Sequence, residues 1–182
     1  MMRKAFTSAV LTFIIVLVYT TVYAQARSGI GIGLGANIPF ASGYSPGVDF
    51  NVQGNIRLSN AFALVPAIGV KQIKGDNEII HEGPQGYSTY TRGDLGGVSL
   101  AFSGKYYFDK QWFASAGVIG IINADRSSSG GTLALGYQVP LDNQNNVEFN
   151  LSGSVLKWSR TSGSNIIPVA GLRIAYNFNF RK

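Results

Sequence analysis

The C-terminal end of this chain alternates with a period of two residues, and that pattern limits the possible fold more than any other feature. Leu172, Ile174, Tyr176, Phe178 and Phe180 are separated by Arg173, Ala175, Asn177 and Asn179. Successive side chains of an extended strand point to opposite faces, so the run puts five large apolar groups on one side and small or polar groups on the other. A helix would scatter the same residues round its axis. The pattern recurs in Val48, Phe50, Val52, Ile56 and Leu58 against Asp49, Asn51, Gln53, Asn55 and Arg57. It recurs again in Ile30, Ile32, Leu34 and Ala36 against Gly29, Gly31, Gly33 and Gly35. Further strands are predicted near 62–73, 97–108, 112–123, 132–141 and 146–156, which makes about eight with no second domain or linker. Within 112–123 the residues Ile119, Ile121 and Ile122 respect no single parity, so the facing of that strand stays open.

The connections alternate in length. Short links at Ser59-Asn60-Ala61, Asp109-Lys110-Gln111 and Asp142-Asn143-Gln144-Asn145 interleave with longer ones near 39–46, 74–95, 124–131 and 157–165. A closed antiparallel up-and-down barrel with this asymmetry carries tight turns at one end and loops at the other, as transmembrane barrels do. Phe62, Tyr106, Phe108, Trp112, Tyr176, Phe178 and Phe180 fall at strand ends on the turn side, and Phe40, Tyr44 and Trp158 fall towards the loops. Rings at those two levels suit the two interfaces of a membrane.

Composition supports the membrane setting. Charged residues make up 13% of the chain, against about 25% in soluble domains, so part of the outer surface is expected to face something other than water. The formal charge of +6 comes from Lys and Arg residues scattered along the chain with no basic run, which argues against a nucleic-acid partner. With no cysteine there is no disulfide framework and no thiolate metal site, and no metal, cofactor or catalytic residue is predicted.

At the N-terminus Arg3 and Lys4 precede an apolar run through Leu11, Phe13, Ile14, Ile15, Val16, Leu17 and Val18, followed by Val22-Tyr23-Ala24 and Ala24-Gln25-Ala26. A basic start, a short apolar stretch and small-residue cleavage patterns define a signal peptide, and the run is shorter than the ~20 residues of a spanning helix. Residues 1–26 are therefore read as a signal peptide cut after Ala24 or Ala26 and exported by the Sec route. Residues 27–182 form the barrel domain, with the outer membrane as its destination.

Alternation alone leaves open which face points inward. A soluble lipocalin-like barrel would line its interior with the large apolar set and expose the Gly, Ala, Ser and Asn set to water. That second set suits a crowded eight-strand lumen better than a solvated surface, and no C-terminal helix follows. On these residues the chain resembles the small outer-membrane β-barrel family typified by OmpX and the OmpA transmembrane domain. The run Leu64-Val65-Pro66-Ala67-Ile68-Gly69-Val70-Lys71 followed by Lys74-Gly75 is also similar to the third-strand pattern of PorT-like barrel domains. The resemblance implies outer-membrane lipids as surroundings, a monomeric barrel, and delivery to the barrel-assembly machinery through the C-terminal strand Leu172–Phe180. Arg181 and Lys182 follow Phe180, a departure from an assembly signal that ends on its last aromatic residue.

Eight strands enclose a bore that side chains can fill, which disfavours a general diffusion pore. The inward set includes Asp49, Arg57, Lys71, Lys105, Glu148 and Arg173. A symmetric turn about Asn60 places Asp49 opposite Lys71, and a similar count across the last hairpin places Glu148 near Arg173. Such pairs would plug the lumen, and a narrow ion path is the alternative. A lipid A-modifying barrel enzyme would need a hydroxyl, a histidine base and an orienting acid held together. The single histidine, His81, stands beside Glu82 in the longest loop, and the chain is read as a non-enzyme. The glycine run Gly29 to Gly35 lacks the third glycine of a nucleotide-binding loop at Ala36 and reads as a lumen-facing stripe where backbones pack closely. The loop over 74–95, with His81, Tyr87, Tyr90, Arg92 and Asp94, is the expected contact surface for an external partner. It includes the tripeptide Arg92-Gly93-Asp94, which recurs by chance in many chains. The role predicted is a structural or surface-interaction barrel.

Overall fold

A computed structural model describes residues 28–75, 77–83, 86–91, 95–123, 127–160 and 163–180. The predicted signal segment, 1–26, lies outside the described residues. Ten strands follow in order: β1 (Gly29–Pro39), β2 (Gly47–Arg57), β3 (Phe62–Ile73), β4 (Asn77–Gly83), β5 (Gly86–Thr91), β6 (Leu95–Tyr107), β7 (Trp112–Ile122), β8 (Ser127–Pro140), β9 (Asn145–Arg160) and β10 (Gly163–Asn179). Eight of them close in the order β1-β10-β9-β8-β7-β6-β3-β2, every pair antiparallel, while β4 and β5 form a separate two-stranded sheet. The expected closed antiparallel up-and-down barrel of eight strands is borne out.

Register fixes the shape of the barrel. Starting at Arg57 and stepping from strand to strand, the partners run through Ala63, Lys105, Ser115, Ala134, Ser152, Gly171 and Asn37, which pairs with Gly47. One circuit therefore shifts from residue 57 to residue 47 of the same strand, and a stagger of that size tilts the strands by about 40°. Between Gln53↔Ala67 and Ile56↔Leu64 the β2–β3 ladder is interrupted where Pro66 has no N–H to donate. Gly54 leaves room there, since a Cβ at that position would stand 3.3 Å from the Pro66 ring.

Two of the connections predicted as loops, near 124–131 and 157–165, are taken up by extended barrel strands. β8 begins at Ser127, β9 runs to Arg160 and β10 starts at Gly163, well before the expected Leu172. Pro168 hid this extension from the sequence pattern. It pairs with Val155 on β9, and its carbonyl accepts from Phe40 N (2.8 Å) just beyond the end of β1, so its missing N–H interrupts no inner ladder. The tight turns are held by side-chain caps. Ser59 Oγ accepts from Phe62 N (3.0 Å), and Asp142 accepts from Gln144 N (2.6 Å), Asn145 N (2.7 Å) and Asn145 Nδ2 (2.6 Å).

The two faces separate as the alternation predicts. Ile32, Leu34, Phe50, Val70, Val118, Leu133, Leu151 and Leu172 all stand exposed on the outside. Among the described outward strand positions the only charge is Lys157, at the loop end of β9. On β7, Phe113 and Ile121 turn inward while Trp112, Val118 and Ile122 turn outward, which settles the strand whose facing the sequence left open.

Candidate functional site

The lumen is the best-defined chemical environment of the molecule, and its contents change along its length. At the turn end Ala63, Tyr107 and Phe113 form a small buried cluster, with the two rings 5.5 Å apart. Arg57 lays its guanidinium 3.6 Å from the centre of the Tyr107 ring and donates to Asn60 O (3.1 Å), while Lys105 Nζ stands 4.3 Å from the Phe113 ring. A cation over an aromatic face is attracted by the ring quadrupole, so these rings serve as a floor for the charges above them.

The next layer is a hydrogen-bonded network. Lys105 Nζ donates to both Glu148 oxygens, at 2.7 and 2.9 Å, with the two side chains 3% and 0% exposed. The pair spans the bore, because β6 and β9 are separated by β7 and β8 in the barrel order. Gln53 Nε2 reaches Asn177 Oδ1 (2.9 Å) and Glu148 Oε2 (3.5 Å), and Asn177 Nδ2 donates to Asn146 Oδ1 (3.0 Å). The carboxylate thus receives several donors, as a charge removed from water requires.

Of the pairs expected from sequence, Asp49 stands directly opposite Lys71 in the register. Glu148 differs. Its register partner is Ala175, and the cation bonded to it is Lys105, with Arg173 acting on it at longer range. Counting across the last hairpin could find only neighbours on adjacent strands, whereas a narrow closed barrel also brings opposite walls within side-chain reach. Asp49 accepts from Asn37 Nδ2 at 2.5 Å, and Asn37 was missed although its parity places it inward. The glycine stripe has a steric reason. A Cβ at Gly31 would fall on Asn177 Oδ1, and those at Gly33 and Gly35 would stand 2.7 Å from Asn51 Oδ1 and Asp49 Oδ2. Side chains of the neighbouring strands occupy the space over β1.

At the loop end the inward face turns apolar. Ile73, Ile121, Leu156, Ile167 and Val169 form a buried cluster, with Ala41, Tyr44 and Ile119 packed against it. Tyr44 therefore helps close the lumen, in place of the outer girdle expected from its position. The link from β1 to β2 folds over the mouth through Gly43 (φ 79°), a backbone region that favours glycine, and is tied down by Ser45 N donating to Lys74 O (2.9 Å). Phe40 points outward, and the Trp158 side chain lies outside the described residues.

The expected external surface includes the β4–β5 hairpin, where His81 pairs with Ser88, Tyr87 with Glu82 and Tyr90 with Glu78. Arg92 and Asp94 lie outside the described residues. Among the described residues no three His, Asp or Glu side chains are grouped to hold a metal ion.

A closed eight-stranded antiparallel barrel with an apolar outer face and a filled polar bore has the architecture of the small outer-membrane β-barrels. Solved structures share it. The outer membrane protein OprG from Pseudomonas aeruginosa aligns over 87% of this chain and 98% of its own, at 11% identity and a TM-score of 0.55. Ail, the attachment invasion locus protein of Yersinia pestis, aligns over 86% of this chain and 99% of its own, at 13% identity and a TM-score of 0.50. Ail in complex with the heparin analogue sucrose octasulfate aligns over 85% and 98%, at 11% identity and a TM-score of 0.50. At these identities the likeness is one of fold. No protein-family model matches the chain, and no curated protein matches it.

Proposed function

We propose that this protein is an outer-membrane β-barrel with a structural or surface-interaction role, closed through its lumen and presenting the segment 74–95 to an external partner. The observation that carries the reading is the outer face. Its strand positions expose Ile, Leu, Val and Phe on all sides, with Lys157 as the only charge among the described outward positions. In water each exposed square ångström of that surface would be unfavourable by about 25 cal/mol. In a bilayer the same surface is matched to its solvent, and the backbone is satisfied because a closed barrel has no free edge. The reading includes a monomer surrounded by outer-membrane lipids, Sec export, and handover to the barrel-assembly machinery by Leu172–Phe180.

Cell fractionation followed by gel electrophoresis with and without boiling tests this. The expected result is an outer-membrane product whose mobility changes on heating. A soluble periplasmic product with one mobility would overturn it. An open ion path is disfavoured by two obstructions in series, the Lys105–Glu148 pair across the bore and the apolar cluster at the loop end. Single-channel recordings in planar bilayers are accordingly expected to show no steady conductance. The reading also assigns no catalysis to His81, so His81→Ala is expected to leave the lipid A mass spectrum unchanged.

A further inference from the structure

Between the polar network and the apolar cluster the lumen holds a cavity of about 100 Å³. Three charged side chains line it: Asp49 from β2, Lys71 from β3 and Arg173 from β10, alongside Asn51 and Asn150. The next charges along the bore, Lys105 and Glu148, neutralise one another. Asp49 is already engaged by Asn37. Among the described residues, two cations and one carboxylate therefore surround the cavity, an excess of one positive charge in a space screened from the loop-end mouth by Ile73, Ile121, Leu156, Ile167 and Val169.

The hydrogen-bonding inventory points the same way. Asn150 is 2% exposed and its Nδ2 has no protein partner, and Arg173 Nε is a second buried donor without one. A buried donor left unpaired costs about 1–3 kcal/mol, and an uncompensated buried cation costs more. We propose that this cavity binds one small monovalent inorganic anion of the chloride type, held by Arg173, Lys71 and Asn150. The excess of one charge selects a monovalent ion, and Asp49 on the same wall repels a second negative charge. Water occupies about 30 Å³ per molecule in the liquid, so the volume admits a halide with a water or two. Asn51 Oδ1, an acceptor without a protein partner, is suited to such a water. The site is independent of whatever binds at the external loops.

The test uses the full chain folded in detergent. Crystals grown in sodium bromide, with diffraction recorded at the bromine edge, are expected to show an anomalous peak between Arg173 and Asn150. In solution, replacing gluconate by chloride at constant ionic strength is expected to raise the unfolding midpoint by a few degrees, because only the folded barrel has the site. Lys71→Met keeps the aliphatic stem and should abolish the chloride dependence. Asp49→Asn removes the opposing carboxylate and should lower the chloride concentration needed by about tenfold. No bromide peak in the cavity, equal midpoints in the two salts, or an unchanged chloride response in Lys71→Met would each overturn the proposal.

Discussion

The two ends of the lumen are closed by opposite chemistry. The turn end uses directional contacts: Glu148 receives Lys105 and Gln53, Asn177 ties Gln53 to Asn146, and Arg57 stacks on Tyr107. The loop end uses volume: Ile73, Ile121, Leu156, Ile167 and Val169 fill the bore, and Tyr44 folds over them. A polar seal fails when one partner goes, because the remaining charge or donor is stranded away from water. An apolar seal fails in proportion to the space left behind and tolerates swaps that keep volume. One inward face therefore has to meet two different rules, and the substitutions it accepts should change along its length.

Four experiments can break or sharpen that contrast, each read by urea unfolding of the barrel in lipid vesicles unless stated. Glu148→Ala should have the largest effect, about 3–5 kcal/mol of lost stability, because it leaves Lys105 unpaired inside the bore. Replacing Lys105 and Glu148 together by Met should lose much less. Equal losses for the single and double variants would mean that the pair is not the source of stability at that end. At the other end Leu156→Ala should cost about 2–4 kcal/mol, while Leu156→Met should cost under about 1.5 kcal/mol. A Met variant as damaged as the Ala variant would show that the loop end is shape-specific too.

Gly31→Ala should cost about 1–3 kcal/mol, because the added methyl falls on an Asn177 amide locked by two hydrogen bonds. Gly33→Ala should cost less, since its nearest atom is Asn51 Oδ1, which has no protein partner. The smallest effect belongs to the turn at Asp142, outside both seals. Hydrogen bonds from the Asn145 side chain and from the Gln144 and Asn145 backbone hold its carboxyl below the ordinary value of 3.8. Its contribution is therefore present above the unfolded value and is lost as pH falls through the depressed folded one. Asp142→Asn should flatten the acid limb of the stability profile slightly and leave neutral pH nearly unchanged. An acid limb identical to that of the parent would remove the turn from the account.

The same contrast explains how far the fold and lumen were legible in the sequence. Where the inward residues are polar or small, as with Asp49, Asn51, Gln53 and Asn55, parity alone separates the faces and the strand is unmistakable. Where they are apolar, inside and outside look alike, and Ile119, Ile121 and Ile122 could not be sorted. Ile119 and Ile121 belong to the loop-end seal, while Ile122 faces outward. Adjacent-strand neighbours such as Asp49 and Lys71 follow from a turn and a count. Lys105 and Glu148 sit on strands separated by two others, and no local spacing relates them.

By itself, then, the sequence determined that this chain alternates, turns tightly at one end and carries too little charge for a water-facing surface. Those are properties of neighbouring residues, set by the two-residue repeat of a strand and the chemistry of turn residues. Only the tertiary structure decided how the bore is filled: which cation meets Glu148, where the apolar seal lies, and which walls enclose the cavity at Lys71 and Arg173. The reason is geometric. Closure and stagger bring residues more than a hundred positions apart across the same narrow lumen, and their contacts depend on the circuit of registers rather than on any one strand.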